Sequence, residues 1–289
     1  MNFASGSLSL GIAAYAAVAL MAGSSTYQDS VLEWQKTRDT KLRAADSWLT
    51  LVGLFWLKPG ENTIGSAGSD DFVLPKGSAP ERAGTLRLVG GKITFTTPDG
   101  NTRHLSYDGD KPDVVHTGSV SFFLIKRGDR FAIRAKDSNS PVLKSFEGMK
   151  YFPINPELHF TAVFTSDAKK IPILNVLGQT EWQDSPGLVE FMHKGQQYRL
   201  RPIYEDDTLF FLFKDATNRT QTYQAGRMLN TPLPKDGKVD LDFNHSYNPP
   251  CTFTPYATCP LSPKENNLPF PVNAGELRYG KGHAEYAER

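Results

Sequence analysis

Hydrophobic and polar positions follow two different periods along this chain, and the change comes early. From Thr26 to Asp46 the sequence is charged, with Val31, Trp34, the aliphatic stem of Arg38 and Leu42 spaced to share one helical face. Thr26 followed three residues later by Asp29 is a capping pair for its start. One amphipathic helix over 26–46, packed on the β-rich remainder of the chain, is therefore expected. The next eleven residues, Ser47 to Leu57, hold eight bulky apolar side chains. Such a run is core or a contact surface, with core the simpler expectation, and Pro59-Gly60 ends it as a turn.

Beyond Gly60 the helical period gives way to short strands between turn signals. Thr85–Val89 and Lys92–Thr96 flank Gly90-Gly91, a two-residue hairpin turn. Ser119–Lys126 and Arg130–Ala135 flank Arg127-Gly128-Asp129, which predicts a slightly longer hairpin loop. Leu143–Phe146 and Leu158–Phe164 are predicted strands, and the charged stretch Asp167–Lys170 marks a seam. After it come Ile171–Val176, Leu188–His193, Tyr198–Ile203, Leu209–Phe213, Gln221–Leu229 and Val239–Phe243, with Lys194-Gly195 as a hairpin turn. The expected fold is mainly β: an antiparallel sandwich-like region over 47–166 and a second antiparallel region over 167–243. An irregular Pro-rich strap and tail over 244–289 completes it.

That strap concentrates the polar chemistry. Its prolines, from Pro249 to Pro271, exclude long helix and central strand, so it is expected to be an ordered loop whose polar groups are engaged. His245, beside Asp242, Asn244 and Tyr247, is a candidate acid-base group; a hydrogen-bonded loop anchor is the plainer alternative. Cys251 and Glu265 complete the catalytic candidates. Arg227, Asp242, Asn244, Tyr247, Asn248, Asn266 and Glu276 are the binding candidates. Arg227 at a strand end could clamp a ligand carboxylate or pair with Asp242 or Glu276. Asp242, Glu265, Glu276 and His245 could form an oxygen-rich metal site but follow no known ligand spacing, so no metal or cofactor is assigned. Gly-x-Ser-x-Gly, Walker and dinucleotide motifs are absent.

Composition narrows the setting. Lys and Arg number 32 against 31 acidic residues, a net charge of +1 that gives no electrostatic reason to expect nucleic-acid binding. Residues 10 to 22 form an apolar run of signal-peptide length, followed by small residues suited to cleavage near Ala22 to Ser25. The first basic residue is Lys36, so the usual positive n-region is missing. Residues 1–25 are expected to be a signal peptide, leaving a periplasmic or secreted protein with no transmembrane segment after cleavage. In that compartment Cys251 and Cys259, the only cysteines, could form a disulfide worth about 2–3 kcal/mol. A free thiol pair or a two-ligand metal site is the rival reading.

Two resemblances add to this. Gly60-Glu-Asn-Thr-Ile-Gly65 and Asp70-Asp-Phe-Val-Leu-Pro75 make residues 60–165 resemble a forkhead-associated domain in outline, a β-sandwich that reads phosphothreonine. Ser66 stands where that family has Arg, and Ala79 to Ala83 supply neither its Ser nor its His. The likeness therefore implies a sandwich more than phosphopeptide binding. Trp48–Leu57, Gly60–Gly65, Phe210–Arg227, Leu241–Cys251, Cys259-Pro-Leu, Glu265-Asn266 and Ala274–Glu276 together resemble a largely bacterial family, domain of unknown function 1684. Asn218-Arg219 departs from its Ser-Gly turn. That resemblance implies no activity, substrate or cofactor.

Three functions stay open on these residues. The first is an exported binding module for a small molecule or envelope component, with a polar cleft closed by the 240–276 strap. The second is a hydrolase or metal-dependent enzyme using Arg227, Asp242, His245, Cys251 and Glu265. The third is an envelope interaction protein using the aromatic run from Trp48 to Trp56.

Overall fold

A computed structural model of the chain describes residues 26–107 and 112–280, and the expected signal peptide lies outside them. Helix α1 spans Tyr27–Leu42 and opens on the Thr26–Asp29 capping box, with each side chain bonded to the other residue's backbone N–H. Val31 and Leu42 are its buried residues. A single 3-10 turn at Trp48–Thr50 then leads into β1 (Leu51–Trp56).

Eight further strands follow: β2 (Gly60–Gly65), β3 (Phe72–Val73), β4 (Gly84–Val89), β5 (Lys92–Thr96), β6 (Thr102–His104), β7 (Val114–Thr117), β8 (Val120–Arg127) and β9 (Arg130–Asp137). They form two sheets, ordered β1-β9-β8-β7 and β3-β2-β4-β5-β6. Pairing is antiparallel except between β2 and β3. Ile64, Leu86 and Phe95 of one sheet meet Phe122, Leu124 and Ile133 of the other in a single apolar core. This is the sandwich that the strand spacing predicted. Gly90 and Gly91 both take positive φ in the β4–β5 hairpin, as its two-residue turn requires. The β8–β9 hairpin is tighter than expected. Arg127 pairs with Arg130, so Gly128-Asp129 alone makes the turn.

Along β9 the pleat sends Phe131, Ile133 and Ala135 into the sandwich core. Arg130, Arg134 and Lys136 therefore lie on the opposite face of that sheet. This alternation places basic side chains against the rest of the molecule.

The second half contains β10 (His159–Leu174), β11 (Thr180–His193), β12 (Gln196–Leu200), β13 (Ile203–Glu205), β14 (Thr208–Phe213), β15 (Arg227–Pro232) and β16 (Lys238–Asp242). They form sheets ordered β12-β11-β10-β16 and β13-β14-β15. Leu209, Phe211 and Phe213 of β14 enter one core, while Phe210 and Leu212 enter another on its far face. Burial on both sides explains the unbroken apolar run.

Three strand expectations are corrected. Leu143–Phe146 overlaps a short helix, α2 (Pro141–Lys144), with Pro141 in its first turn where a missing N–H costs nothing. Asp167–Lys170 lies inside β10 and not between two strands. A register shift between Ser166 and Lys169 absorbs the interruption, and the charged side chains there face solvent. Residues 215–226 are turns rather than the start of a strand. Asp215 Oδ1 accepts from Thr217 N and Oγ1 at 2.8 and 2.6 Å, and Asn218 Nδ2 donates to Tyr223 O at 2.6 Å. Arg219 takes φ +75°, so a left-handed turn survives here with Arg at its glycine-favouring position.

The strap is ordered by short 3-10 turns at Phe243–His245, Pro250–Thr252 and Lys264–Asn266. Leu268, Val272 and Ala274 join the core of the second half. Among the described residues no helix is long and apolar enough to cross a membrane.

Candidate functional site

The strap candidates separate into those that fasten the fold and those that open on a cavity. Arg227 is 1% exposed. It donates to Asp215 Oδ2 and Val272 O, both at 2.7 Å, and to Ala274 O. Burial pulls its proton affinity down, and Asp215 opposes that shift. Asn266 is equally engaged, accepting from Arg201 N at 2.7 Å and donating to Arg201 O and Leu212 O at 2.9 Å. Glu265 pairs with Arg201 Nε at 3.4 Å on a half-exposed flank.

Asp242 and Asn244 anchor α1. Tyr27 donates to Asp242 Oδ2 at 2.9 Å, and Asn244 Nδ2 donates to Tyr27 Oη at 2.8 Å and to Asp242 Oδ1 at 2.8 Å. Burial and the Asp242 carboxylate together raise the Tyr27 hydroxyl well above its ordinary value. Glu276 is 0% exposed. It accepts from Arg38 Nε at 2.8 Å, Asn248 N at 2.6 Å and Asn248 Nδ2 at 2.9 Å. Arg38 also lies over the Tyr247 ring, 4.7 Å from its centroid.

Cys251 and Cys259 lie at disulfide distance, with Cα atoms 6.1 Å apart. Both are buried against Tyr223 and Ala257. Among the described residues no three His, Cys, Asp or Glu side chains are grouped to hold a metal ion.

His245, Tyr247 and Asn248 do share a cavity. It has a volume of about 660 Å³ and lies where four parts of the chain meet. Trp34, Thr37, Arg38 and Lys41 of α1 form one wall. Trp48, with Arg127 and Arg134 from the outer face of the first sandwich, forms a second. Phe210, Met228 and Asn230 line it from β14 and β15, with Glu205 at the end of β13 and Asp206 on the turn after it. The strap closes the remainder through His245, Tyr247, Asn248, Pro250 and Ala257 to Pro260. The volume is that of a small-molecule site, and its lining mixes aromatic faces with a few polar groups.

The polar lining is unevenly satisfied. Tyr247 Oη donates to Asn230 Oδ1 at 2.6 Å, and Asn230 Nδ2 donates to Glu205 Oε2 at 2.9 Å and Thr208 Oγ1 at 3.0 Å. Burial first, and Glu205 next, push the Tyr247 hydroxyl upward. By contrast Arg134 Nε, His245 Nε2 and Asn248 Oδ1 are buried without a hydrogen-bond partner in the protein. His245 Nδ1 lies 3.7 Å from Asp242 Oδ2, beyond a hydrogen bond. Its ring rests against Trp34 with centroids 5.0 Å apart. Burial holds the imidazole below its usual pKa despite the Asp242 carboxylate, so it is neutral at pH 7. Arg134 is lowered to about 10, by burial and then by nearby Arg127, and stays charged.

The cavity therefore takes three of the expected strap residues and leaves Arg227, Asp242, Asn244, Glu265, Asn266 and Glu276 in the framework. Its other principal groups, Arg127, Arg134 and Thr258, were not among the sequence candidates. A signal for Arg134 was present in the alternation Arg130-Phe-Ala-Ile-Arg-Ala-Lys136, which puts cations on the non-core face. The aromatic run from Trp48 to Trp56 is mostly absorbed. Leu49 and Leu51 are core, Phe55 stacks on Phe72, and Arg130 covers Trp56 at 4.1 Å.

Residues 144–277 match the family model described as "Protein of unknown function (DUF1684)". The family identified from the sequence is thus supported over that range. An uncharacterized protein of Haloarcula marismortui, solved in solution by NMR, is 29% identical over 46% of this chain and 78% of its own, with a TM-score of 0.39. No curated protein matches the chain.

Proposed function

We propose that the chain is an exported small-molecule-binding module whose ligand occupies the cleft between α1, the outer face of the first sandwich and the strap. One observation carries the reading: polar and aromatic side chains of α1, the first sandwich, β14–β15 and the strap converge on one cavity of about 660 Å³, among them Arg134, His245 and Asn248. Buried polar atoms in folded proteins are nearly always paired, because an unmade hydrogen bond costs about 1–3 kcal/mol. Arg134 Nε, His245 Nε2 and Asn248 Oδ1 are closed off from solvent without a partner, as are Gln224 Nε2, Arg227 Nε, Ser246 Oγ and Thr252 Oγ1 away from the cavity, so a ligand would reach the first three only if their side chains turn toward it. Trp34, Trp48 and Tyr247 supply apolar faces for its body. The cysteine pair fits an oxidising compartment, where the ligand would be a solute or a soluble envelope component.

An enzyme has less support. Cysteines at disulfide distance do not offer a thiolate, the His245–Asp242 contact is too long to orient a base, and Glu265 and Arg227 are tied elsewhere.

A thermal-shift screen of carboxylates, phosphates, sugars and aromatic solutes tests the reading, with Trp34 and Trp48 fluorescence as a second signal. At least one compound is expected to raise Tm and alter emission. His245→Gln should keep its unliganded Tm and lose that response. A screen without a hit, or a hit unaffected by His245→Gln and Asn248→Ala, overturns the reading. Export is tested by the mature N-terminus. Mass spectrometry should find it between Ala22 and Thr26, and an intact Met1 in an exporting host would refute it.

A further inference from the structure

The cleft reading leaves the ligand's chemistry open, and two arginines constrain it. Arg134 is 7% exposed. Its contacts are weak ones: Thr258 Oγ1 at 3.4 Å from Nη2, and the Trp48 ring with its centroid 5.2 Å from Cζ. Its Nε has no partner. Arg127 donates from Nε to the same Thr258 Oγ1 at 3.2 Å and from Nη1 to Lys126 O at 2.9 Å. Among the described residues, the arginines paired to carboxylates are Arg38, Arg43, Arg82, Arg201 and Arg227. Arg127 and Arg134 are outside that set.

Two guanidinium groups thus converge on one neutral hydroxyl at the wall of a cavity. Burying a cation without a counter-charge is costly, and a second cation beside it adds to the cost. Both effects already depress the proton affinity of Arg134. The cleft's own carboxylates, Glu205 at the end of β13 and Asp206 on the turn after it, pair with neither arginine. Guanidinium groups offer several donors in a planar fork that matches a two-oxygen acceptor.

We propose, resting on the cleft reading, that the ligand carries an oxyanion head, a carboxylate or a phosphate monoester, seated between Arg134 and Arg127 beside Thr258 with a ring-sized body against Trp48. The head supplies the missing counter-charge. No bond is made or broken. Empty, the site holds an uncompensated charge, and removing that charge should not weaken the unliganded fold.

Calorimetric titration of the full chain with matched probes tests this: benzoate, phenyl phosphate, benzamide and phenol. The better anion is expected to bind about tenfold or more tightly than its neutral counterpart, a difference of about 1.4 kcal/mol. Whether benzoate or phenyl phosphate prevails identifies the head. Arg134→Gln and Arg127→Gln should each erase the preference, and Arg134→Lys should restore part of it. Ligand-free Arg134→Met should melt at the parent temperature or above. Equal binding of benzamide and benzoate overturns the oxyanion while leaving the cleft reading in place. So does failure of both anions when a neutral hit from the screen binds. Silence from every probe and every screened compound removes the cleft reading itself. A Tm drop of several degrees in Arg134→Met makes Arg134 structural and also overturns the proposal.

Discussion

Arg227 and Arg134 are both buried arginines carried on strands of antiparallel sheets, and they differ in what surrounds them. Arg227 meets the Asp215 carboxylate and two strap carbonyls. Arg134 meets a threonine hydroxyl, an indole face and another cation. The first arrangement neutralises its charge within the chain and fastens residues 272–274 to the second-half core. The second leaves the charge unmatched beside a cavity. Burial of a charged group is therefore no guide to its role until its counter-charge has been located.

The contrast can be broken at its structural end first. Asp215→Ala would leave Arg227 buried and uncompensated, with an expected loss of about 3–5 kcal/mol on denaturant unfolding. A loss below about 1 kcal/mol would mean that Arg227 does not rivet the strap to the core. Arg38→Met removes the counter-charge of Glu276 and one of the polar contacts that hold α1. Because Arg38 remains partly exposed, the expected cost is smaller, about 2–3 kcal/mol. Protection of α1 amides from hydrogen exchange should fall more than that of β14 amides, and a uniform loss would argue against a locally held helix.

Next comes the cysteine pair. Thiol titration of the denatured, unreduced protein should find no free thiol. Cys251→Ser with Cys259→Ser should cost about 2–3 kcal/mol on the loop-closure model. It should also weaken ligand binding, because Thr258, the residue both cleft arginines contact, adjoins Cys259. Unchanged stability and binding would remove that link.

The smallest effect concerns pH. The folded-state pKa of His245 lies below its ordinary value because burial disfavours the imidazolium. The unfolded chain then binds the proton more readily. The stability associated with neutral His245 is full above the unfolded pKa of about 6.5 and is lost as pH falls toward the lower folded value. His193 shifts in the same direction, through burial and then Lys194. His245→Gln should therefore flatten, without abolishing, the decline in stability between about pH 6.5 and 5. An identical slope in the variant would show that His245 does not contribute.

Where the chain's own neighbours decide structure, the sequence was legible. The Thr26–Asp29 cap, the Gly90-Gly91 hairpin and the β14 run from Leu209 to Phe213 follow from spacing and residue type within a few positions. Local reasoning failed where tertiary context competes. Charges at 167–170 look like an interruption, yet they sit on a strand long enough to project its polar faces into solvent. Gln221 to Gly226 looks extended, but Thr217 and Asn218 capture its backbone in turns. The strap's polar density correctly marked an ordered element, and most of that density serves closure.

By itself the sequence determined a mainly β chain with one capped helix, a Pro-rich strap that cannot be regular structure, and a family resemblance. Each rests on short-range stereochemistry or on residues quoted directly. Only the tertiary structure decided which polar groups are spent on one another. Arg38 reaches Glu276 across 238 positions, and Arg127 reaches Thr258 across 131. No local pattern encodes such pairings, because a counter-charge is chosen by proximity in the fold and not by distance along the chain. The same holds for Arg134, whose lack of one became visible only when the strap closed over it.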